Sequence, residues 1–454
     1  MEQRAVITIL GTGYVGLTTA ALTAMAGLKT YVVDPNPDRL ASVRSGKSFF
    51  YEEGLDALVA KAVADGLLIP TDSYEASVPE SDIVISSVGT PDNPDGSSNL
   101  KYVFAAATEA ARYLKPSAVY VQKSTVPVGT GAKIRQAFAG AGLTVPYVSN
   151  PEFLRESTAL RDSLWFDRIV VGGDDAAALE RVQDVYRQIE ASRAQIAQTA
   201  GLQAPAVLPK GTYMQVGLES AELIKVTSNA FLALKISFAN SIAVLSDKVG
   251  ANVTQVMDAV GADARIGRAF LNAGRGYGGG CFPKDVAGLI SAGLEQGVNL
   301  EIMRAAQAIN EEMPGYIIEK LQNSIGGSLE GRTIAVLGLA FKAGTSDARR
   351  SPGVKIANVL ANAGATVRAY DPQAHAEAAA YLDDAVVLAS GTDDALRGAD
   401  AVIVATDWPE FVDYAPSAYA SVLSGTYFVD ALNRFDMQAV HDAGLEYIGV
   451  GQSV

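Results

Sequence analysis

The stretch Ala5-Val6-Ile7-Thr8-Ile9-Leu10-Gly11-Thr12-Gly13-Tyr14-Val15-Gly16 decides how the first part of the chain folds. A short apolar run of strand type enters a G-x-G-x-x-G turn, and a helix-like segment, Leu17 to Ala26, leaves it. The next strand, Thr30 to Val33, ends in Asp34, twenty-three positions after Gly11. On its own such a glycine turn is a weak signal. With strand, helix, second strand and terminal acid in register, it reads as a dinucleotide site. Gly11, Gly13, Tyr14, Val15 and Gly16 then line the pyrophosphate, which meets free amides at the helix N-terminus. Asp34 accepts from both ribose hydroxyls and repels a 2'-phosphate, which favours NAD over NADP. Arg39 lies close enough to pair with such a phosphate and weighs the other way.

Outward from that turn, strand candidates at Ile83 to Val88, Val119 to Gln122, Val145 to Val148 and Arg168 to Gly172 alternate with helical or loop segments. This is the pattern of a doubly wound parallel sheet. Ligands in such sheets sit beyond the carboxyl ends of the strands, where Gly89-Thr90-Pro91, Ser124-Thr125-Val126-Pro127 and Asn150-Pro151-Glu152-Phe153-Leu154-Arg155-Glu156 fall. A turn hydroxyl is the plain alternative for Thr90 and Thr125. Ala191 to Gly211 lacks a clear period and reads as an excursion or linker. From Ser220 to Val249 the period is helical, with Leu223, Val226, Ala230, Leu234 and Ser237 on one stripe. Lys225 and Asn229 are one turn apart on that helix and read as a polar site rather than a solvated face.

The only cysteine lies in Gly276-Tyr277-Gly278-Gly279-Gly280-Cys281-Phe282-Pro283-Lys284-Asp285, ahead of the apolar run Val286 to Ile290. Glycines remove side-chain bulk before Cys281, and Pro283 suits the first turn of a helix. Cys281 then sits at a helix N-terminus, where unpaired amides and nearby Lys284 favour the thiolate, and Asp285 lies one turn on. A buried structural cysteine is the plain alternative. Arg265, Arg268 and Arg275 precede this stretch.

A second α/β pattern begins at Thr333 to Leu337, followed by Gly338-Leu339-Ala340-Phe341-Lys342, a strand at Thr366 to Tyr370 ending in Asp371, and strands at Ala401 to Ala405 and Tyr427 to Val429. Its turn keeps one glycine, which argues for a nucleotide-bearing substrate rather than a second dinucleotide. Lys342, Arg349, Arg350 and Arg434 are its candidate phosphate ligands.

Thirty-six basic against fifty acidic residues give a net charge of -14, which argues against nucleic acid and anionic membrane as partners. With two histidines and one cysteine a zinc site is not expected, nor is an internal disulfide. The single thiol fits a reducing cytoplasm. The apolar N-terminal stretch is broken by glycines and closed by Asp34, so it reads as a βαβ unit rather than a signal peptide or membrane span.

The glycine fingerprint, S-T-V-P-V-G, N-P-E-F-L-R-E, A-E-L-I-K-V-T-S-N-A-F, G-Y-G-G-G-C-F-P-K-D and F-K-A-G-T-S-D-A-R, in that order, resemble the UDP-glucose/GDP-mannose dehydrogenase family from Ile7 to beyond Asp430. The resemblance implies two Rossmann-like domains joined by a helical one, divided as 1–210, 211–325 and 326–454. It implies removal of two hydrides from C6 of a nucleotide sugar at the expense of two NAD, with Cys281 holding the aldehyde as thiohemiacetal and then thioester. Asp285, a water and Thr125 would manage protons, Glu152 would serve hydrolysis, and Lys225 with Asn229 would stabilise negative oxygen. By the same resemblance Asp34, Arg39, Thr90, Thr125, Glu152, Lys284 and Arg349 contact NAD, with Arg350 as the alternative to Arg349. Glu152, Phe153, Leu154, Arg155, Glu156, Lys225, Asn229, Arg265, Phe270, Leu271, Asn272, Ala273, Gly274, Gly278 and Lys342 contact the sugar nucleotide. The C-F-P-K-D form favours the UDP-glucose branch over GDP-mannose or UDP-N-acetylhexosamine. A homodimer or higher homo-oligomer is expected, with the long middle helix as interface. Two rivals differ in kind. A β-hydroxyacid dehydrogenase oxidises once and needs no cysteine or third domain, and a non-catalytic NAD-binding regulator has no reason to combine Cys281, Lys225 and Glu152.

Overall fold

Alternation along each strand sends every second side chain to the opposite face of a sheet, and the central strands of the two sheets here are buried on both faces. The computed structural model describes residues 4–452. The chain divides into two compact units, one up to Thr227 and one from Ser228, and the division falls inside the helix Leu218–Val249.

In the first unit eight strands, β1 (Ile7–Leu10), β2 (Thr30–Val33), β3 (Leu68–Thr71), β4 (Ile83–Ser86), β5 (Val119–Gln122), β6 (Tyr147–Ser149), β7 (Arg168–Gly172) and β8 (Thr212–Val216), lie in the order β3-β2-β1-β4-β5-β6-β7-β8. All neighbours are parallel except β6 and β7, which meet antiparallel at Ser149 and Gly172. Ile7, Ile9, Ile83, Ile85, Val119 and Val121 pack on one face. Leu10, Val84 and Tyr120 pack on the other. The chain order reverses between β1 and β4, so a crevice is expected beyond their carboxyl ends.

Ala191 to Gly211 is not a loose link. The helix Ala176–Ala191 is followed at once by a second helix, Arg193–Ala200, which buries Ile196 and Ala197 in the core. The irregular segment 201–211 then feeds β8, which extends the sheet alongside β7. Glutamines interrupt the helix's apolar spacing, and β8 is largely exposed without alternation, so neither shows a clean period.

The stripe on Leu218–Val249 is also shifted. Val226, Ala230 and Ser237 are buried, but Leu223 is 44% exposed and the neighbouring Glu222 is buried in its place. The reason is polar, since Glu222 accepts two backbone hydrogen bonds.

In the second unit β9 (Thr333–Leu337), β10 (Thr366–Tyr370), β11 (Val386–Leu388), β12 (Ala401–Val404), β13 (Tyr427–Asp430) and β14 (Glu446–Gly449) form an all-parallel sheet in the order β11-β10-β9-β12-β13-β14. Its glycine turn is expanded rather than decayed. In the first unit a Cβ on Gly16 would stand 2.0 Å from the carbonyl oxygen of Gly11, so only glycine lets the helix start against the turn. In the second unit Gly353 meets the carbonyl of Gly338 in the same way, at 2.1 Å, after an inserted loop that carries Lys342 and Arg349.

Candidate active site

The glycine turn of the first unit fits a dinucleotide. A Cβ on Gly13 would meet nothing within 4 Å, and the helix Tyr14–Met25 has no side-chain cap on its first amides. Asp34, buried at the end of β2, accepts from the amide and hydroxyl of Thr12 at 2.9 and 2.5 Å and from the amide of Asn36 at 2.9 Å. Arg39 stacks on Phe49 and stands 3.7 Å from Asp34, so its charge is already matched to that carboxylate. The Tyr14 hydroxyl donates to the carbonyl of Arg155, tying the cofactor turn to the loop after β6.

That loop holds a buried ion pair. Lys225 Nζ lies 2.8 Å from Glu152 Oε1, with side chains 4% and 10% exposed, and Glu152 Oε2 accepts the amide of Leu154 at 2.6 Å. Burial pushes the Glu152 carboxyl up, but the Lys225 charge and hydrogen bond, the Leu154 amide and Lys123 outweigh it and hold the group below the ordinary glutamate range. Phe153 carries the Arg168 guanidinium 3.8 Å above its ring centre, with the Lys225 ammonium at 5.6 Å. Arg155 is turned outward and grips Asp162 through Nε and Nη2 at 3.1 and 2.6 Å. Leu154 and Glu156 are half-buried on the same loop, and Thr90 and Thr125 are half-buried on the loops after β4 and β5.

Lys123, which sequence reasoning passed over, is a second buried cation of this region. Its Nζ donates to the Tyr186 hydroxyl at 2.8 Å, that hydroxyl donates to Asn150, and the Asn150 amide donates to the Val170 carbonyl at 2.8 Å. A lone lysine between Gln122 and Ser124 reads as a strand end. Only its full burial marks it.

In the second unit Cys281 caps the helix Phe282–Glu295, with Pro283 in the first turn as the pattern predicts, and its thiol is exposed rather than buried. The Asp285 amide donates to the Cys281 carbonyl at 2.9 Å. Asp285 itself is buried and receives Asn229 Nδ2 on Oδ2 at 2.6 Å and Lys284 Nζ on Oδ1 at 2.7 Å. Lys225 and Asn229 of the long helix thus both reach carboxylates, Lys225 that of Glu152 and Asn229 that of Asp285.

The glycine run threads between two supports. Asn310 receives the Tyr277 amide at 2.7 Å and returns a bond to its carbonyl at 3.1 Å. On the other side a Cβ on Gly280 would stand 2.7 Å from Arg349 Nη2, and one on Gly278 2.4 Å from the Arg350 carbonyl. The Arg349 guanidinium, gripping Asp347 at 2.8 and 2.7 Å, is therefore the one against the residue before Cys281, whereas Arg350 approaches by its backbone. Lys342 lies half-buried over the Phe341 ring.

The remaining sequence candidates separate. Phe270, in a left-handed conformation at φ 66°, sets its ring 6.1 Å from that of Phe282 beside the cysteine. Leu271 and Ala273 are core side chains, so only their backbone is available to a ligand. Asn272 accepts from Arg268 at 2.7 Å, and the Gly274 amide donates to Asn240 at 2.8 Å. Arg265 is 89% exposed and paired with Asp263. Asp371 spends its carboxylate on the amides of Leu339 and Ala340, the Trp408 indole and the start of the next turn. Arg275 is wholly buried, donates to the Phe341 carbonyl at 2.7 Å and is pushed down to about 10 by burial.

Three family models match the chain in order, the NAD binding domain of the UDP-glucose/GDP-mannose dehydrogenase family over residues 5–190, its central domain over 219–312 and its UDP binding domain over 335–437. The chain is 39% identical over 453 residues to a UDP-glucose 6-dehydrogenase of Rhizobium meliloti, covering 98% of this chain and 99% of that one. It is 37% identical over 449 residues to UDP-glucose 6-dehydrogenase YwqF of Bacillus subtilis, covering 98% and 97%. A solved UDP-glucose dehydrogenase from Pyrobaculum islandicum superposes with a TM-score of 0.86 at 36% identity, over 99% and 98% of the two chains. With a dinucleotide turn, a buried Lys–Glu pair and an exposed cysteine on a helix start, and with all three family segments in sequence, the chain belongs to the UDP-glucose/GDP-mannose dehydrogenase family of NAD-dependent enzymes.

Proposed function

We propose that the chain oxidises C6 of UDP-glucose twice, from primary alcohol to carboxylate, in the cytoplasm. The observation that carries the reading is the exposed Cys281 thiol on a helix whose first turn holds a buried, doubly bonded Asp285. A single alcohol oxidation has no use for a nucleophile there. Bound NAD supplies the hydride acceptor for each oxidation, one molecule per step. In the first, Lys225 stabilises the oxygen as its proton leaves, and Asp285 with a water and Thr125 takes that proton. The Cys281 thiolate then forms a bond to the aldehyde carbon, giving a thiohemiacetal. Loss of the second hydride to NAD, with the hydroxyl proton returning to Asp285 and its water, leaves a thioester. Glu152 deprotonates water, whose oxygen displaces the thiolate and gives carboxylate. In this reading residues 1–210 take the cofactor, 211–325 carry the cysteine and 326–454, with Lys342, take the UDP moiety.

The test is a panel of UDP-glucose, UDP-N-acetylhexosamine and GDP-mannose with NAD, following reduced cofactor and product. UDP-glucose is expected to turn over fastest, with two reduced cofactors per sugar acid. One reduced cofactor per sugar, or a preference for another sugar nucleotide, overturns the reading.

We further propose a homodimer through the long helix. Phe231, Phe238 and Leu245, seven residues apart, are 58%, 47% and 55% exposed, so one face of this helix offers a heptad-spaced apolar seam. The helix is also long and apolar enough to cross a membrane by composition, but its opposite face buries Ser237 and Asn240, which makes it two-faced. A second copy of the helix matches that seam. Sedimentation velocity at micromolar concentration should show a dimer and Phe238→Glu a monomer; a monomeric parent protein refutes the proposal.

A further inference from the structure

Glu222 is a buried acid that the proposed chemistry leaves unused. It lies on the long helix, one turn before Lys225, and is 2% exposed. Its Oε2 accepts the Gly129 amide at 2.7 Å and its Oε1 the Gly131 amide at 2.8 Å. These amides begin the helix Thr130–Gly140, whose cap position is Gly129, in a left-handed conformation at φ 88° with no side chain of its own to give. Helix starts are ordinarily satisfied by a local Ser, Thr, Asp or Asn. Here the acceptor comes from 91 and 93 positions away and is a buried carboxylate. Burying a charge is costly, so a local cap would serve a helix start better. What the distant carboxylate adds is position.

The segment so held is Ser124-Thr125-Val126-Pro127-Val128-Gly129. Its near end is fixed by Ser124, whose hydroxyl donates to the Val88 carbonyl at 2.7 Å. Its far end is fixed by Glu222. Gly131 makes room for the contact, since a Cβ there would stand 3.1 Å from Glu222 Oε1 and 2.7 Å from the Tyr147 ring. One turn further along the long helix, Lys225 holds Glu152 at 2.8 Å.

We infer that Glu222 is a positioning residue for the oxidation, fixing the Thr125 loop to the same helix that presents Lys225 to Glu152. The titratable groups that face it are Glu219 on its own helix and Tyr147 on β6, and the helix Thr130–Gly140 presents the two amides. Burial, opposed by those amides, raises its carboxyl to about 7. The assignment rests on the reading that Thr125 takes part in proton handling.

Glu222→Gln tests it, because an amide of the same shape keeps one acceptor and turns an NH2 group toward an N–H. We expect kcat to fall about tenfold or more, with the KM values for NAD and sugar nucleotide within about twofold, at a temperature well below the thermal transition. A structural role alone lowers that transition and leaves kcat of the folded protein intact, and this result overturns the inference. If the variant does not fold, Gly131→Ala keeps the Glu222 carboxylate and crowds its contact, together with the Tyr147 ring and the Leu218 side chain. A kcat lower by about fivefold at unchanged NAD affinity then supports the inference, and a kcat within about twofold overturns it. Thr125→Val separates the two levels. A parent rate in that variant removes the reading beneath and this inference with it, whereas a slow Thr125→Val beside an unaffected Glu222→Gln removes this inference alone.

Discussion

Cys281→Ala should bind NAD and the sugar nucleotide with parent affinity and form no sugar acid. The thiol is exposed and makes no core, so its removal leaves no cavity and little change in stability. What is lost is the bond to the aldehyde carbon, and without it neither thiohemiacetal nor thioester exists. Release of aldehyde with a single reduced cofactor per sugar is the most the variant can do. Cys281→Ser keeps a nucleophile but an alkoxide leaves more reluctantly than a thiolate, so an ester should accumulate and be visible by intact-mass measurement. Because this chain has no other cysteine, one equivalent of a thiol alkylator reports on Cys281 alone. Labelling should track loss of activity, and bound sugar nucleotide should protect. Two reduced cofactors per sugar from Cys281→Ala at near the parent rate would end the covalent mechanism.

The parts of this molecule that sequence makes legible are those in which local chemistry and spacing coincide. The turn at Gly11 to Gly16 reads correctly because close packing of helix on strand leaves no room for a Cβ at Gly16. The helix start at Cys281 reads correctly because Pro283 fits only a first turn. Where partners lie far apart along the chain, the same reasoning fails. The second fingerprint is hidden because Gly353 is separated from Gly338 by an inserted loop, although the two pack as closely as Gly16 and Gly11. Spacing puts Lys225 and Asn229 one turn apart but is silent on the carboxylates they reach. Glu222 and Lys123 look like solvated charges in one dimension and are buried in three. The helix Arg193–Ala200 escapes because its few apolar residues stand among glutamines, yet Ile196, Ala197 and Ala200 are buried and anchor it.

Lys225→Met should move the acid limb of kcat upward and lower the rate at neutral pH by roughly a hundredfold or more. Two effects combine. The first is loss of the positive charge that stabilises oxygen as the substrate hydroxyl is oxidised, which in comparable sites is worth about two to three powers of ten. The second is electrostatic and concerns Glu152. In the parent protein burial pushes that carboxyl up, and Lys225 is the strongest of the groups that bring it below the ordinary range. Without Lys225 burial is opposed by the weaker Leu154 amide and Lys123, so the carboxyl rises and the base is protonated over a wider range of pH. Stability follows with the opposite slope. A depressed carboxyl contributes stability that is present above its unfolded pKa and lost as pH falls through the folded value, whereas a raised one loses stability as pH climbs above the unfolded value. The deficit of Lys225→Met against parent should therefore be small in acid, where Glu152 is neutral, and grow toward about 3–5 kcal/mol at alkaline pH, where a buried charge is left without its partner. Lys123→Met should shift the acid limb in the same direction by less, because Lys123 acts on Glu152 less strongly than Lys225 does. Glu152→Gln in the Lys225→Met background should remove the pH dependence of that deficit. Chemical denaturation across pH, beside initial rates of cofactor reduction, decides the matter. An acid limb unmoved in Lys225→Met, with a pH-independent stability change, would mean that Glu152 does not depend on Lys225 for its charge and is not the base whose ionisation limits the reaction.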